Sequence, residues 1–298
     1  MATRGLTKWY GDVRAVDAVD LEVPRGSIVG LLGPNGSGKT TIIGCLLGLL
    51  RPTAGTMSLF GHESAAVPDE AVRRIGAIME TPAFYPFLSG RDNLRFFQGI
   101  SGGGPPEEID RLLDVVGLTD RAGARFNTYS LGMKHRLGLA YSLLGDPDVL
   151  LLDEPTNGLD PAGMAEVRHL IRSLGGGERT VLLASHLLHE VEQVCDAVAI
   201  LSRGRLIAQG PVAELIGRTD RLYVRTTDDA RAVSVLEGLE WVEHVAAEGE
   251  GIGVAVDASR SAEVSAALAA AGIHVAEMRI RQTSLEEYFL EVTGEEAE

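Results

Sequence analysis

The sequence is short of cysteine, of positive charge and of long apolar runs, and each shortage removes a class of protein. Cys45 and Cys195 are its two cysteines, each inside an apolar, helix-like stretch. They read as small buried core residues, so a disulfide framework is not expected and a reducing compartment fits. Lys and Arg number 27 against 42 Asp and Glu. That excess of negative charge repels a polyphosphate backbone, and nucleic acid is not an expected partner. The most apolar windows, 28–32, 149–152, 181–184 and 198–201, are far shorter than the roughly 20 residues a helix needs to cross a bilayer. Residues 1–8 are polar and mixed, without the charged start and apolar stretch of a secretory signal, so export is not expected either. There is no long-period repeat of the kind that builds a solenoid.

What is present suffices for one large domain and one small one. The four apolar windows are rich in Val, Ile and Leu and end at polar or glycine-bearing turns, as strands buried on both faces of a parallel sheet do. Helical patterns lie between them at 39–50, 131–144, 162–174 and 188–195, giving the strand and helix alternation of a layered α/β domain. Residues 16–23 alternate apolar and charged before the turn Pro24-Arg25-Gly26, which suggests an antiparallel strand feeding the first buried one. The breaker run Ser101-Gly-Gly-Gly-Pro-Pro106 sits within a helical insertion placed at about 86–145. After Ile216 the character changes. Strands at 221–226, 253–257 and 274–279 alternate with helices at 231–236 and 262–271, and a capped helix at 284–292 closes a small α+β unit. The domains are therefore expected at 1–216 and 217–298. The face Leu285, Tyr288, Phe289 and Val292 closes that unit's own core or forms a groove for a partner, with the first as the simpler expectation.

The chemistry concentrates in two places. Gly33, Pro34, Asn35, Gly36, Ser37, Gly38, Lys39 and Thr40, with Thr41 following, form a phosphate-loop pattern between a buried strand and a helix. Bare backbone at Gly36 and Gly38 lets N–H groups converge on phosphate oxygens at the positive end of the helix. Lys39 then neutralises the β- and γ-phosphates, and Thr40 offers a hydroxyl to Mg²⁺. The second place is the apolar strand from Val149, which ends in Asp153 and Glu154 at the carboxyl edge of the sheet, where open α/β folds bind ligands. Asp153 is expected to hold Mg²⁺ through water, and Glu154 to polarise the water that attacks the terminal phosphate.

A third motif, Tyr129-Ser-Leu-Gly-Met-Lys-His-Arg-Leu137, opens a helix that Ser130 can cap. With the phosphate loop, the Asp153-Glu154 strand end, Gly158-Leu159-Asp160 and Ser185-His186, it makes five motifs whose order through residues 3–216 resembles the ATP-binding cassette ATPases of membrane transporters. The resemblance implies a P-loop core with a mostly parallel sheet, an N-terminal antiparallel part and a helical insertion. It further implies that ATP and Mg²⁺ are bound, and that a second copy or a homologous ATPase subunit closes over them. Ser130 and Gly132 would touch the γ-phosphate held by the other subunit, Asp160 would lie at the subunit boundary, and His186 would be the switch on the γ-phosphate. Tyr10, with Trp9 beside it, would stack on adenine unless it is a plain surface aromatic.

The departures narrow the resemblance. Glu80 stands where a glutamine is usual and would join Thr40 and Asp153 around the metal, while Leu131, Met133 and His135 replace the usual signature residues. Glu80 with this signature resembles exporters of bacitracin and lantibiotic-type peptides, and the small C-terminal unit resembles one appended to drug and antibiotic exporters. The implied partner is an integral membrane permease, which would hold the chain on the cytoplasmic face of the membrane. The surface 80–93, with Phe84, Tyr85, Phe87 and Leu88, would receive it, unless those aromatics are buried in the insertion. Rival readings are a soluble cassette ATPase acting on ribosomes or DNA repair and a non-hydrolysing regulatory subunit. Neither a second cassette nor a long coiled coil is visible for the first, and Lys39, Asp153, Glu154 and His186 form a complete catalytic set against the second.

Overall fold

The computed structural model describes residues 1–79, 83–177, 179–217, 221–281 and 284–294. The chain forms two compact units, Met1–Pro211 and Val212–Glu298, and the helix Val212–Gly217 belongs to the second.

In the first unit, β1 (Ala2–Tyr10) and β2 (Val13–Val19) pair antiparallel, and β3 (Ile28–Leu32) leads into α1 (Lys39–Leu46). After β4 (Ala54–Leu59) and β5 (His62–Ser64), the short α2 (Asp69–Val72) precedes β6 (Ile75–Met79). The helical insertion holds α3 (Gly90–Ile100), α4 (Pro106–Val115) and α5 (Leu131–Ser142). Then β7 (Val149–Asp153), α6 (Pro161–Leu174), β8 (Thr180–Ser185), α7 (Leu188–Val194), β9 (Ala197–Ser202) and β10 (Arg205–Pro211) complete the unit. Its main sheet runs β10-β9-β3-β8-β7-β6, parallel except for the antiparallel edge strand β10, beside an antiparallel sheet β2-β1-β4-β5. Every residue of β3, β7 and β8 is buried, because neighbouring elements cover both faces of the parallel strands. Consequently the carboxyl ends of β3, β7 and β8 open side by side, which fixes where the phosphate loop, Glu154 and His186 emerge.

The insertion has an aromatic interior. The Phe84 ring meets Phe97, Phe126 and Tyr141 edge-on, with centroids 5.6, 5.2 and 6.0 Å away. Phe87, by contrast, is 75% exposed and Tyr85 48%. The run that the sequence presents as one patch is thus divided, Phe84 inward and Phe87 outward.

The insertion also leans on the sheet through a bare backbone. A Cβ on Gly76 of β6 would lie 1.7 Å from the Ser142 carbonyl oxygen at the end of α5. Gly76→Ala is expected to cost about 3 kcal/mol, since neither the strand nor the helix backbone can give way cheaply. A lowered urea midpoint would register it, and an unchanged midpoint would show that the contact is soft.

The second unit begins with α8 (Val212–Gly217) and continues β11 (Arg221–Thr226), α9 (Asp229–Glu237), β12 (His244–Glu248), β13 (Gly251–Ala255), α10 (Ser261–Ala270), β14 (Val275–Arg281) and α11 (Leu285–Thr293). The sheet order β12-β13-β11-β14, all antiparallel, is the ferredoxin-like β-α-β-β-α-β arrangement. Leu222, Val224, Leu236, Val254, Val264 and Leu268 fill its core. Leu285 and Phe289 of α11 are buried, and that helix lies against α8.

Candidate nucleotide site

Six residues separate β3 from α1, and their backbone is held close. Ser37 N–H donates to the Pro34 carbonyl at 3.1 Å, and Ile42 N–H to that of Gly38 at 3.0 Å. Two glycines serve this loop differently. Gly38 has φ 105°, and a Cβ there would stand 2.6 Å from the Ala15 carbonyl oxygen of β2, so the space is already taken. Gly36 has φ 80° and nothing within 4 Å of a built Cβ, so it keeps a left-handed backbone open to the cleft.

Lys39 begins α1 with 5% of its surface exposed. Its Nζ donates to the carbonyls of Gly33 at 2.6 Å and Pro34 at 3.3 Å, and stands 3.6 Å from Glu154 Oε1. Burial pushes the ammonium pKa below its usual value, while the Glu154 and Asp153 charges pull it back. A buried cation held by carbonyls and a carboxylate is a ready partner for a more highly charged anion.

Glu154 follows β7 with φ 49°, a left-handed conformation that costs a non-glycine residue. The surroundings hold it there. Its N–H donates to the Ala184 carbonyl of β8 at 2.9 Å, and its carbonyl accepts from Asn157 N–H at 3.1 Å. The carboxylate then spans two cationic or donor groups, with Oε2 at 2.9 Å from His186 Nδ1 while Oε1 faces Lys39. Ser185, just before His186, turns the chain by accepting Leu187 N–H at 3.0 Å.

These groups surround a cleft of about 450 Å³ lined by Asn35, Gly36, Gly38, Lys39, Thr40 and Thr41 on one side and Asp153 and Glu154 on the other. Asp153 is fully buried and Thr40 is exposed. Their carboxylate and hydroxyl are hard oxygen donors facing one space, a donor set that fits Mg²⁺ shared with phosphate oxygens. Gly33 and Pro34 act on the cleft through the carbonyls that hold Lys39, and Ser37 is buried beneath it with its hydroxyl unpartnered.

Ser130, Gly132 and Asp160 do not line this cleft. Ser130 caps α5 by accepting Met133 N–H at 3.3 Å, and Asp160 caps α6 by accepting Gly163 N–H at 3.2 Å. They share one neighbourhood, since a Cβ on Gly158 would meet Leu131 Cδ2 at 3.3 Å and one on Gly132 would meet Leu159 Cδ2 at 4.0 Å. Tyr10 ends β1 and is 47% exposed, with Lys8 Nζ 5.2 Å from its ring centroid, while Arg14 covers Trp9 at 4.4 Å. Glu80 lies outside the described residues.

Three further residues line the cleft: Ala15, His135 and Asn157. Asn157 had a signal in its place three residues after Glu154 in the same loop. His135 had one in its departure from the usual glutamine. Ala15 had none, because only the crossing of β2 behind Gly38 brings it there.

Residues 16–157, from β2 through the loop after Glu154, match the family model described as ABC transporter. The bacitracin transport ATP-binding protein BcrA of Bacillus licheniformis is 39% identical over 98% of this chain and 96% of its own length. The daunorubicin/doxorubicin resistance ATP-binding protein DrrA of Streptomyces peucetius is 37% identical over 99% and 93%. Among solved structures, an ATP binding subunit of an ABC transporter superposes with TM-score 0.64 at 30% identity, covering 72% of this chain and 90% of that one. Matched along nearly its whole length by such relatives, and with the phosphate loop and the Asp153-Glu154 strand end meeting in one cleft, the chain belongs to the ABC transporter family as an ATP-binding, ATP-hydrolysing subunit.

Proposed function

We propose that two copies of this chain, or this chain and a homologous subunit, pair so that the Ser130, Gly132 and Asp160 surface of each closes the other's cleft over ATP. One observation carries this reading: the cleft gathers Lys39, Thr40, Asp153 and Glu154 but not the signature residues, so each chain would supply one half of one site and the complementary half of the other. In the closed site Lys39 and the backbone N–H groups around Gly36 and Gly38 hold the β- and γ-phosphates, and Tyr10 offers its exposed ring to adenine. Thr40 and Asp153 would hold Mg²⁺, with Glu80 as the third group the family resemblance implies, and the ion would supply charge neutralisation at the phosphate oxygens. Glu154 orients a water whose oxygen bonds to the γ-phosphorus as the bond to the bridging oxygen breaks, giving ADP and phosphate, while the water's proton passes toward the carboxylate. His186, now bonded to Glu154, turns to the γ-phosphate when nucleotide fills the cleft.

Closing and reopening would drive an integral membrane permease that holds this subunit at the inner face of the membrane. Among the described residues no helix is long and apolar enough to cross a membrane itself. The names of the relatives, one for bacitracin transport and one for daunorubicin and doxorubicin resistance, favour export of a drug or antibiotic peptide. Their whole-length match, small unit included, favours this over a ribosomal or repair ATPase. The exposed Phe87 is the expected contact for the permease. In vesicles holding both proteins, Phe87→Asp should abolish transport while leaving ATP binding intact. Full transport by that variant would rule the contact out.

A further inference from the structure

His135 sits in the second turn of α5 and is 2% exposed, yet it lines the nucleotide cleft beside Lys39, Asp153, Glu154 and Asn157. Burial makes its ring harder to protonate. The Pro155 carbonyl works the other way, but neither ring nitrogen reaches a partner with full hydrogen-bond geometry. Buried polar groups are seldom left so, and one at a reaction site calls for a state in which it is completed.

The surroundings of the ring show which partner. Leu131 and His135 are four residues apart and so share one face of α5. Leu131 abuts Gly158, and His135 faces Pro155, so the first two turns of this helix lie along the loop that follows Glu154. The same helix begins with Ser130 and Gly132.

We infer that His135 is a positioning residue, a latch whose ring N–H donates to the Pro155 carbonyl in the closed state and locks the loop carrying Glu154 to the signature helix of the same chain. This rests on the reading of Glu154 as the residue that orients water, and deepens it. The surface a chain lends to the opposite nucleotide and the carboxylate it applies to its own then move as one body. Neither Lys39 nor the phosphate loop depends on the latch, so nucleotide affinity should be insensitive to it.

Three full-length variants test the inference with Mg²⁺ and ATP. His135→Leu, which fills the space without a donor, should keep its melting temperature and its ATP affinity within about twofold while kcat falls about tenfold or more. His135→Gln, whose amide can donate to the same carbonyl, should restore most of the rate. Wild-type turnover in His135→Leu, failure of His135→Gln to rescue, or a parallel loss of affinity and thermal stability would overturn the latch. Should His135→Leu fail to fold, the histidine ring N–H signal in ¹⁵N-labelled protein decides. It should become protected from exchange on adding Mg²⁺ and ATP to the Glu154→Gln chain, and an unprotected proton there would overturn the inference. An unimpaired rate in Glu154→Gln alone would instead sink the underlying catalytic reading, and the latch with it.

Discussion

Glu154→Gln is expected to bind Mg²⁺ and ATP at least as tightly as the natural chain while turning over about 10²-fold to 10⁴-fold more slowly, the usual contribution of a positioned base. The carboxylate meets His186 at 2.9 Å and Lys39 at 3.6 Å, at the mouth of a buried strand whose register fixes it. An amide keeps the shape and much of the hydrogen bonding but cannot take a proton from water. Affinity should hold or improve, because in the nucleotide-free chain Glu154 is an anion lying against the cation that the phosphates need. With hydrolysis blocked, the ATP-bound pair should also persist, since reopening follows turnover. Size measurement with Mg²⁺ and ATP reads this directly. A variant that stayed monomeric at high concentrations of both protein and ATP would count against pairing through the nucleotide.

Lys39→Ala should weaken ATP binding about tenfold to a hundredfold, as befits one or two charge-assisted hydrogen bonds to phosphate. The ammonium is buried and fastened to the Gly33 and Pro34 carbonyls, so removing it also frees the loop whose amides face the cleft. The loss should fall mainly on nucleotides that carry a γ-phosphate or β-phosphate, and AMP should be nearly indifferent. A titration giving unchanged ATP affinity would show that the loop amides suffice and that Lys39 has another task.

Much of this architecture can be read from residue order because the deciding features are local. The strands β3, β7, β8 and β9 are continuous apolar runs, and a run apolar on both faces has few other places to go than the interior of a parallel sheet. The edges are less legible. β1 mixes Thr, Arg, Lys and Leu, and its place depends on pairing with β4 and on Thr3 reaching Val19, which no local pattern announces. β2 runs from Val13 to Val19 rather than 16–23, and Ala18 at φ 49° sits at an irregularity of its ladder, between the pairs Lys8–Val16 and Leu6–Val19. Leu21 and Val23 stay buried, tied by two hydrogen bonds each to Thr3 and Met1. The helix read as 39–50 ends at Leu46, where Gly48 at φ 73° turns the chain. β12, short and with two alanines, carries no local strand pattern and is made a strand by its ladder with β13.

The site divides the same way. Its phosphate loop and carboxylates are contiguous stretches whose chemistry can be named residue by residue. The second layer is tertiary: the Ala15 carbonyl behind Gly38, the Ala184 carbonyl that holds Glu154 left-handed, and His135 against Pro155 are each brought in from a distant segment. Packing, not spacing, selects them.

The most direct measurement is phosphate release per chain as the concentration of the natural protein is raised, with Mg²⁺ and ATP saturating. If each cleft needs the Ser130 and Gly132 surface of another copy, the rate per chain should climb with concentration toward a plateau and vanish in Glu154→Gln. A rate per chain that is already full at high dilution, or that survives in Glu154→Gln, would contradict both the shared site and the part assigned to that carboxylate.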